Sequence, residues 1–246
     1  MFGHSYEDDL RELVHAVQNG FPFALARFHD GELAVCESRR YLAAANEWDS
    51  TQRAWLRDPL IESLKFKAPG YHVGVSPPCC CAKGTTYYAS RVRAPSTFAT
   101  IFQNANYSRA HQMLCDIPHV RVGARPGDGN MVDFVGVPEN AVEHEWDIDS
   151  AIERLLHATV PVFLAAGPAS CVIAQRLWDR MRTVPIVDIG SLFDRSTRDF
   201  QIPTSELYRH ECAWGGGRPS SGLEPEPSSH VPFNPRERVA RLRRKR

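Results

Sequence analysis

Val160-Pro161-Val162-Phe163-Leu164-Ala165-Ala166-Gly167-Pro168-Ala169-Ser170 opens the stretch that decides the fold, and Val184-Pro185-Ile186-Val187-Asp188-Ile189-Gly190 closes it. Val160–Ala166 is a continuous apolar run of strand length, and Gly167-Pro168 makes a sharp turn. Ala169–Met181 repeats Ile173, Leu177 and Met181 at every fourth position, as a helix does. Val184–Ile189 is a second apolar strand. Two uninterrupted hydrophobic strands joined by a helix imply a parallel sheet covered on both faces. The class is therefore α/β, a Rossmann-like open and mostly parallel sheet with helices on both faces.

The same alternation extends outward. Tyr6–Asn19 reads as an amphipathic helix through Leu10, Leu13, Val14 and Val17, stopped by Gly20 and Pro22. Phe23–Phe28 is a strand, Glu32–Ala45 a helix, and Thr51–Phe66 a second helix that Asp58-Pro59 is expected to split. Tyr71–Ser76 is a short strand closed by Pro77-Pro78, and Thr85–Arg93 has helical character. Thr97–Asn104 fits either state. Arg109–Cys115 is helical, His119–Gly123 and Val132–Val137 are strands with a turn at Arg125–Asn130 between them, and Asp147–Ala158 is a helix.

Length allows one sizeable core: residues 1–212 form the expected domain. After Cys212, Gly215-Gly216-Gly217 and five prolines make residues 213–246 a flexible linker, ending in a basic tail from Arg236 to Arg246. Lys plus Arg balance Asp plus Glu at 29 each, so no overall charge draws the chain to nucleic acid or an anionic membrane. The tail alone, without an aromatic-rich sheet motif, does not make a nucleic-acid binder. No apolar run reaches the ~18 residues of a membrane span. Met1–Glu12 lacks the basic-then-apolar order of a secretory signal, so a cytoplasmic location is expected. The seven cysteines, three of them adjacent at Cys79-Cys80-Cys81, read as free thiols and not as a zinc site.

Chemistry concentrates at the end of the first strand, in Arg27-Phe28-His29-Asp30-Gly31-Glu32. If strand geometry persists through Gly31, Asp30 and Glu32 point to the same side. Two such carboxylates invite a hard divalent ion, Mg²⁺ or Mn²⁺, whose other ligands are waters and substrate phosphates. Gly31 leaves room for the backbone to approach a ligand. Arg27 is a candidate for a two-pronged phosphate contact. A polar turn after a buried strand explains the same residues without any ligand. Gly167-Pro168-Ala169-Ser170 lies where open α/β sheets bind ligands, at the carboxyl end of a strand, but it is not a dinucleotide fingerprint. Asp188 ends the next strand. It suits a ribose or acceptor hydroxyl or a general base, and equally the cap of a following helix through Ser191–Arg195.

Two separated stretches together resemble the GT-D type glycosyltransferases, first known as a domain of unknown function in bacterial glycosylation loci. Arg27-Phe28-His29-Asp30-Gly31-Glu32 is similar to that family's Arg-Phe-Gly-Asp-Gly-Glu with its Asp-x-Glu motif. Phe163–Ser170 followed by Val187-Asp188-Ile189-Gly190 is similar to its apolar strand, Gly-Pro turn, helix and Asp-Ile-Gly strand end. Val137-Pro138-Glu139-Asn140-Ala141 resembles its Asn-Ala segment. The likeness runs from about residue 8 to 195.

The resemblance implies transfer of a sugar from a nucleoside diphosphate sugar, typically a UDP-hexose, to an acceptor glycan or other hydroxyl. It implies that Asp30 and Glu32 bind Mn²⁺ or Mg²⁺ and the donor diphosphate. Gly167 and Ser170 would line the nucleotide crevice, and Asp188 would contact the acceptor or ribose. His29 departs from the family's glycine and Ser191 from its histidine, which leaves donor and acceptor choice open. A metal-dependent phosphohydrolase and a non-catalytic nucleotide-sugar or glycan-binding protein are the competing readings. A homo-oligomer stays open.

Overall fold

A computed structural model describes residues 6–38, 40–42, 47–49, 54–102, 107–138 and 144–193. The linker and basic tail, the 1–212 boundary, Asn140-Ala141 and any helix through Arg195 lie outside the described residues. The chain begins with α1 (Tyr6–Gln18), β1 (Ala24–Phe28) and α2 (Asp30–Cys36), then the two-stranded antiparallel hairpin β2 (Arg40–Leu42) and β3 (Glu47–Asp49). A 3-10 turn (Ala54–Leu56) leads into α3 (Arg57–Lys65), followed by β4 (Tyr71–Val75), α4 (Pro78–Ala89), β5 (Ser96–Phe98) and α5 (Tyr107–Leu114). The remainder is β6 (His119–Gly123), β7 (Met131–Gly136), α6 (Glu145–Leu155), β8 (Val162–Ala165), α7 (Ala169–Arg180) and β9 (Ile186–Asp188).

The main sheet has seven strands in the order β5-β4-β1-β9-β8-β6-β7, and every pairing in it is parallel. Strand periodicity splits the core into two layers. Ala24, Ala26 and Phe28 of β1 face one layer, with Val162 and Leu164 of β8 and the buried sides of α2, α3, α6 and α7. Leu25 of β1, Phe163 and Val187 face the other, under Leu10, Leu13, Val14 and Val17 of α1 and Leu114 of α5. Helices therefore cover both faces, as the uninterrupted apolar strands require.

Three local expectations are corrected. The helix expected over Glu32–Ala45 starts earlier and ends at Cys36; Ser38 takes a left-handed φ of 51° and the chain turns into the hairpin. The helix expected over Thr51–Phe66 begins as such only at Arg57: the division expected at Asp58-Pro59 falls just ahead of that pair, between the 3-10 turn and α3. Pro59 is the third residue of α3, where its missing N–H has no intrahelical partner to lose. Pro77-Pro78 does more than close β4: Pro78 opens α4, a favoured first helical position. No described helix is long and apolar enough to cross a membrane.

His72 of β4 lies under α1 with its ring edge-on to Phe23, and burial lowers its pKa to about 4. Core and edge are expected to respond differently to truncation. Leu164→Ala, at a fully buried site in a central strand, should cost about 2–5 kcal/mol. Val132→Thr, 56% exposed on edge strand β7, should stay within about 0.5 kcal/mol. Urea denaturation of both variants is the check, and similar losses would contradict this layering.

Candidate active site

β1, β4, β8 and β9 all run in one direction, so their carboxyl ends meet along one edge of the sheet. That edge gathers Arg27, Glu32, Gly167, Ser170 and Asp188. The strand does not persist through Gly31. His29 is extended (φ −120°, ψ −154°) and Asp30 begins α2, so Asp30 and Glu32 are the first and third residues of a helix. Residues two apart on a helix do not share a side. The two acids accordingly part.

Asp30 turns outward with its side chain 51% exposed, and its Oδ1 lies 2.6 Å from His29 Nδ1. Glu32 turns inward and is only 8% exposed. Its Oε2 accepts the His29 backbone N–H at 2.8 Å, which satisfies an orphan donor at the helix start. The Asp-Gly-Glu sequence thus works locally as a helix start. Gly31 has no special φ and follows Asp30 inside the first turn.

The burial of Glu32 has an electrostatic cost. Desolvation, then the neighbouring Asp188 carboxylate, raises its pKa to about 7, against the partial relief of the His29 N–H. No lysine or arginine pairs with Glu32 among the described residues. Asp188, 4% exposed, is also raised by burial, but Arg27 lies beside it and opposes the rise. Arg27 Nη2 stands 3.5 Å from Asp188 Oδ1, and the Gly190 N–H donates to the same oxygen at 3.0 Å. Arg27, expected as a phosphate contact, has its guanidinium turned to Asp188 and to the Ala99 carbonyl. Asp188 does not reach a helix through its side chain: its oxygens are held by Arg27 and Gly190, and residues 190–193 form turns.

In the loop after β8, Gly167 is exposed with φ +56°, a conformation that favours glycine. Ser170 is fully buried, and its Oγ accepts the Ala166 N–H at 2.9 Å, closing the turn that presents Gly167. Three residues that the sequence did not single out complete the edge. Cys171 donates its thiol to the Arg27 carbonyl at 3.1 Å, and burial pushes its pKa well up, so it is a packing group. Tyr88 donates its hydroxyl to the His29 carbonyl at 2.5 Å, fixing the other side of the strand–helix junction. Gly74 faces Arg27 across the β1–β4 pairing. None carries a motif, and each is recognisable only through its partner.

The donor set suits a hard cation incompletely. Among the described residues, no group of three or more His, Cys, Asp or Glu side chains is placed to hold a metal. What fits is one buried carboxylate without a cation and one exposed carboxylate nearby. That is the protein share typical of Mg²⁺ sites, where water and substrate phosphates supply the remaining ligands.

No family model matches the sequence, and no curated protein matches it. Solved structures do match in shape. One is a glycosyltransferase of DUF1792 from Streptococcus sanguinis, with TM-score 0.57 and 16% identity over 82% of this chain and 85% of that one. Another is domain of unknown function 1792, described as having a distinct glycosyltransferase fold, with TM-score 0.57 and 12% identity over 82% and 87%. This chain has their fold. At such identities the likeness extends to the architecture and not to the residues of the site.

Glu32 and His72 pull stability in opposite directions with pH. A raised pKa gives stability below the unfolded value that is lost as pH rises, here between about 4.5 and 7. A lowered pKa gives stability above the unfolded value that is lost as pH falls, here from about 6.5 to 4. In metal-free buffer the two slopes, about 1.4 kcal/mol per pH unit each, nearly cancel between pH 5 and 6.5. Glu32→Gln keeps an acceptor for the His29 N–H and removes one slope. It should stabilise the chain at pH 8 by up to about 3 kcal/mol and expose a loss of about 2 kcal/mol as pH falls from 6.5 to 5. Chemical denaturation across that range decides; an unchanged profile would show Glu32 to be an ordinary solvated acid.

Proposed function

We propose that the chain is a metal-dependent glycosyltransferase moving a hexose from a UDP-sugar to a hydroxyl of an acceptor glycan. The observation that carries this reading is Glu32: a buried carboxylate, uncompensated by any described cationic side chain, at the ligand-binding edge of a sheet shaped like those of known glycosyltransferases. Burying such a group is expensive unless a positive ligand completes it. In this reading Glu32 and Asp30 hold Mn²⁺ or Mg²⁺. The ion, when bound, offsets the negative charge that grows on the diphosphate as the sugar leaves.

The chain's own residues have separable tasks. With its pKa pushed up to about 7, Glu32 is only partly ionised near neutral pH while the site is empty of cations, and ionises fully when one arrives. Gly167 lets a nucleotide approach the backbone of the β8–α7 turn, and Ser170 holds that turn closed. Asp30, half exposed beside His29, presents its carboxylate from the rim, with Oδ1 held by His29 and by the Gly31 N–H at 3.1 Å. Transfer of the sugar to an acceptor hydroxyl, and not to water, is favoured by the fold likeness alone.

A panel of nucleotide sugars tested by thermal shift with and without Mn²⁺ checks the reading. A UDP-hexose at ~100 times its dissociation constant should add about 2.7 kcal/mol of stability, several degrees in Tm, and only when Mn²⁺ is present. Glu32→Gln and Asp30→Asn should each remove that increment while leaving the metal-free fold intact. Phosphate release from unrelated esters, without sugar transfer, would replace this function with a phosphohydrolase.

A further inference from the structure

Arg27 ends the first strand with its donors turned into the protein. Its Nε–H donates to the Asp188 carbonyl at 2.7 Å, and Nη1 donates to the Ala99 carbonyl at 2.7 Å. Nη2 faces Asp188 Oδ1, and the Arg27 backbone N–H donates to Asp188 Oδ2 at 3.3 Å. The guanidinium also lies over the Phe102 ring, 5.3 Å from its centroid.

Two glycines make the room. A Cβ on Gly74 would stand 3.2 Å from Arg27 Cγ, and one on Gly190 only 2.1 Å from Nη2. Gly190 also sits at φ +54°, so both its conformation and its missing side chain suit this arginine. Arg27 is 9% exposed and Asp188 4%. A guanidinium so placed cannot hold a diphosphate without giving up its present partners.

We propose that Arg27 and Asp188 are a positioning pair for the donor site, and that neither side chain touches the metal or the diphosphate. The pair joins three pieces of chain: the end of β1, the end of β9 and the turn after β5. The Cys171 thiol ties the first turn of α7 to the Arg27 carbonyl, adding a fourth. Two residues beyond Arg27 is His29, whose N–H holds Glu32 Oε2. A shift at Arg27 therefore reaches Glu32 through the His29 backbone. The pair also balances charge: Arg27 compensates Asp188 within the protein, which leaves the Glu32 carboxylate to the incoming cation.

This inference rests on Glu32 being a donor-site ligand, so its test separates the two ideas. Calorimetric binding of UDP in the presence and absence of Mn²⁺ is measured on the full chain and on Arg27→Gln, Asp188→Asn and the double variant, with a thermal melt of each. Each single change leaves a buried charge uncompensated beside Glu32. It should lower Tm and weaken Mn²⁺-dependent UDP binding at least tenfold. The double variant carries a neutral hydrogen-bonding pair and should bind more tightly than either single, recovering most of the loss.

A double variant no tighter than the weaker single would mean that one side chain meets the ligand, overturning the proposal. Single variants with lower Tm but unaltered binding would reduce the pair to a purely structural role and overturn it equally. If Arg27→Gln does not fold, comparison of Asp188→Asn with the double variant decides alone. An unmodified chain that binds UDP no better with Mn²⁺ than without removes the proposed function and this inference together. Failure of the double variant in a chain that otherwise binds removes only the inference.

Discussion

A carboxylate buried without a cation is the constraint to which the rest of this site answers. Glu32 enters the protein because α2 begins directly off β1 and its third residue must reach back to the His29 N–H. Helix capping thus explains its direction, but not its burial beside a second acid. Two carboxylates and one guanidinium share the carboxyl edge of β1 and β9, and the guanidinium belongs to Asp188. The remaining negative charge is what makes the edge a cation site in waiting, and also what makes it costly to keep. Stability given up at a binding site in this way is a common exchange for function.

The parallel sheet makes such an edge possible. With every described pairing of the main sheet parallel, strand ends that are far apart in sequence open on the same side: Phe28, Val75, Ala165 and Asp188. Loops after them can be short and specialised because the layers of helices above and below already hold the strands. Each loop here has its own device. The first uses a helix start, the loop after β8 uses a left-handed glycine locked by Ser170, and the end of β9 uses an aspartate locked by Arg27.

The architecture was legible where hydrophobicity was continuous. Val160–Ala166 and Val184–Ile189 name a buried parallel strand pair from composition alone, and the leucines and valines of Tyr6–Asn19 name α1. The site was legible as a place but not as a geometry. Arg27, Asp30, Glu32 and Asp188 do gather at one edge, yet the common side expected for Asp30 and Glu32 rested on strand periodicity that stops at Phe28. Whether Asp-Gly-Glu continues a strand or starts a helix depends on Tyr88 and α3 packing around it, which no local pattern encodes. Likewise Arg27 reads as a phosphate claw in isolation. Only the absence of side chains at Gly74 and Gly190, far away in sequence, reveals that its pocket lies inside the protein.

The most direct measurement is a carbon NMR titration of the Glu32 side-chain carboxyl, assigned by comparison with Glu32→Gln, in metal-free buffer and in saturating Mg²⁺. The expected midpoint lies near pH 7 without metal and falls by more than one pH unit when Mg²⁺ binds. A midpoint near 4.5 in both conditions, or one near 7 that Mg²⁺ leaves unmoved, would contradict a cation site at Glu32.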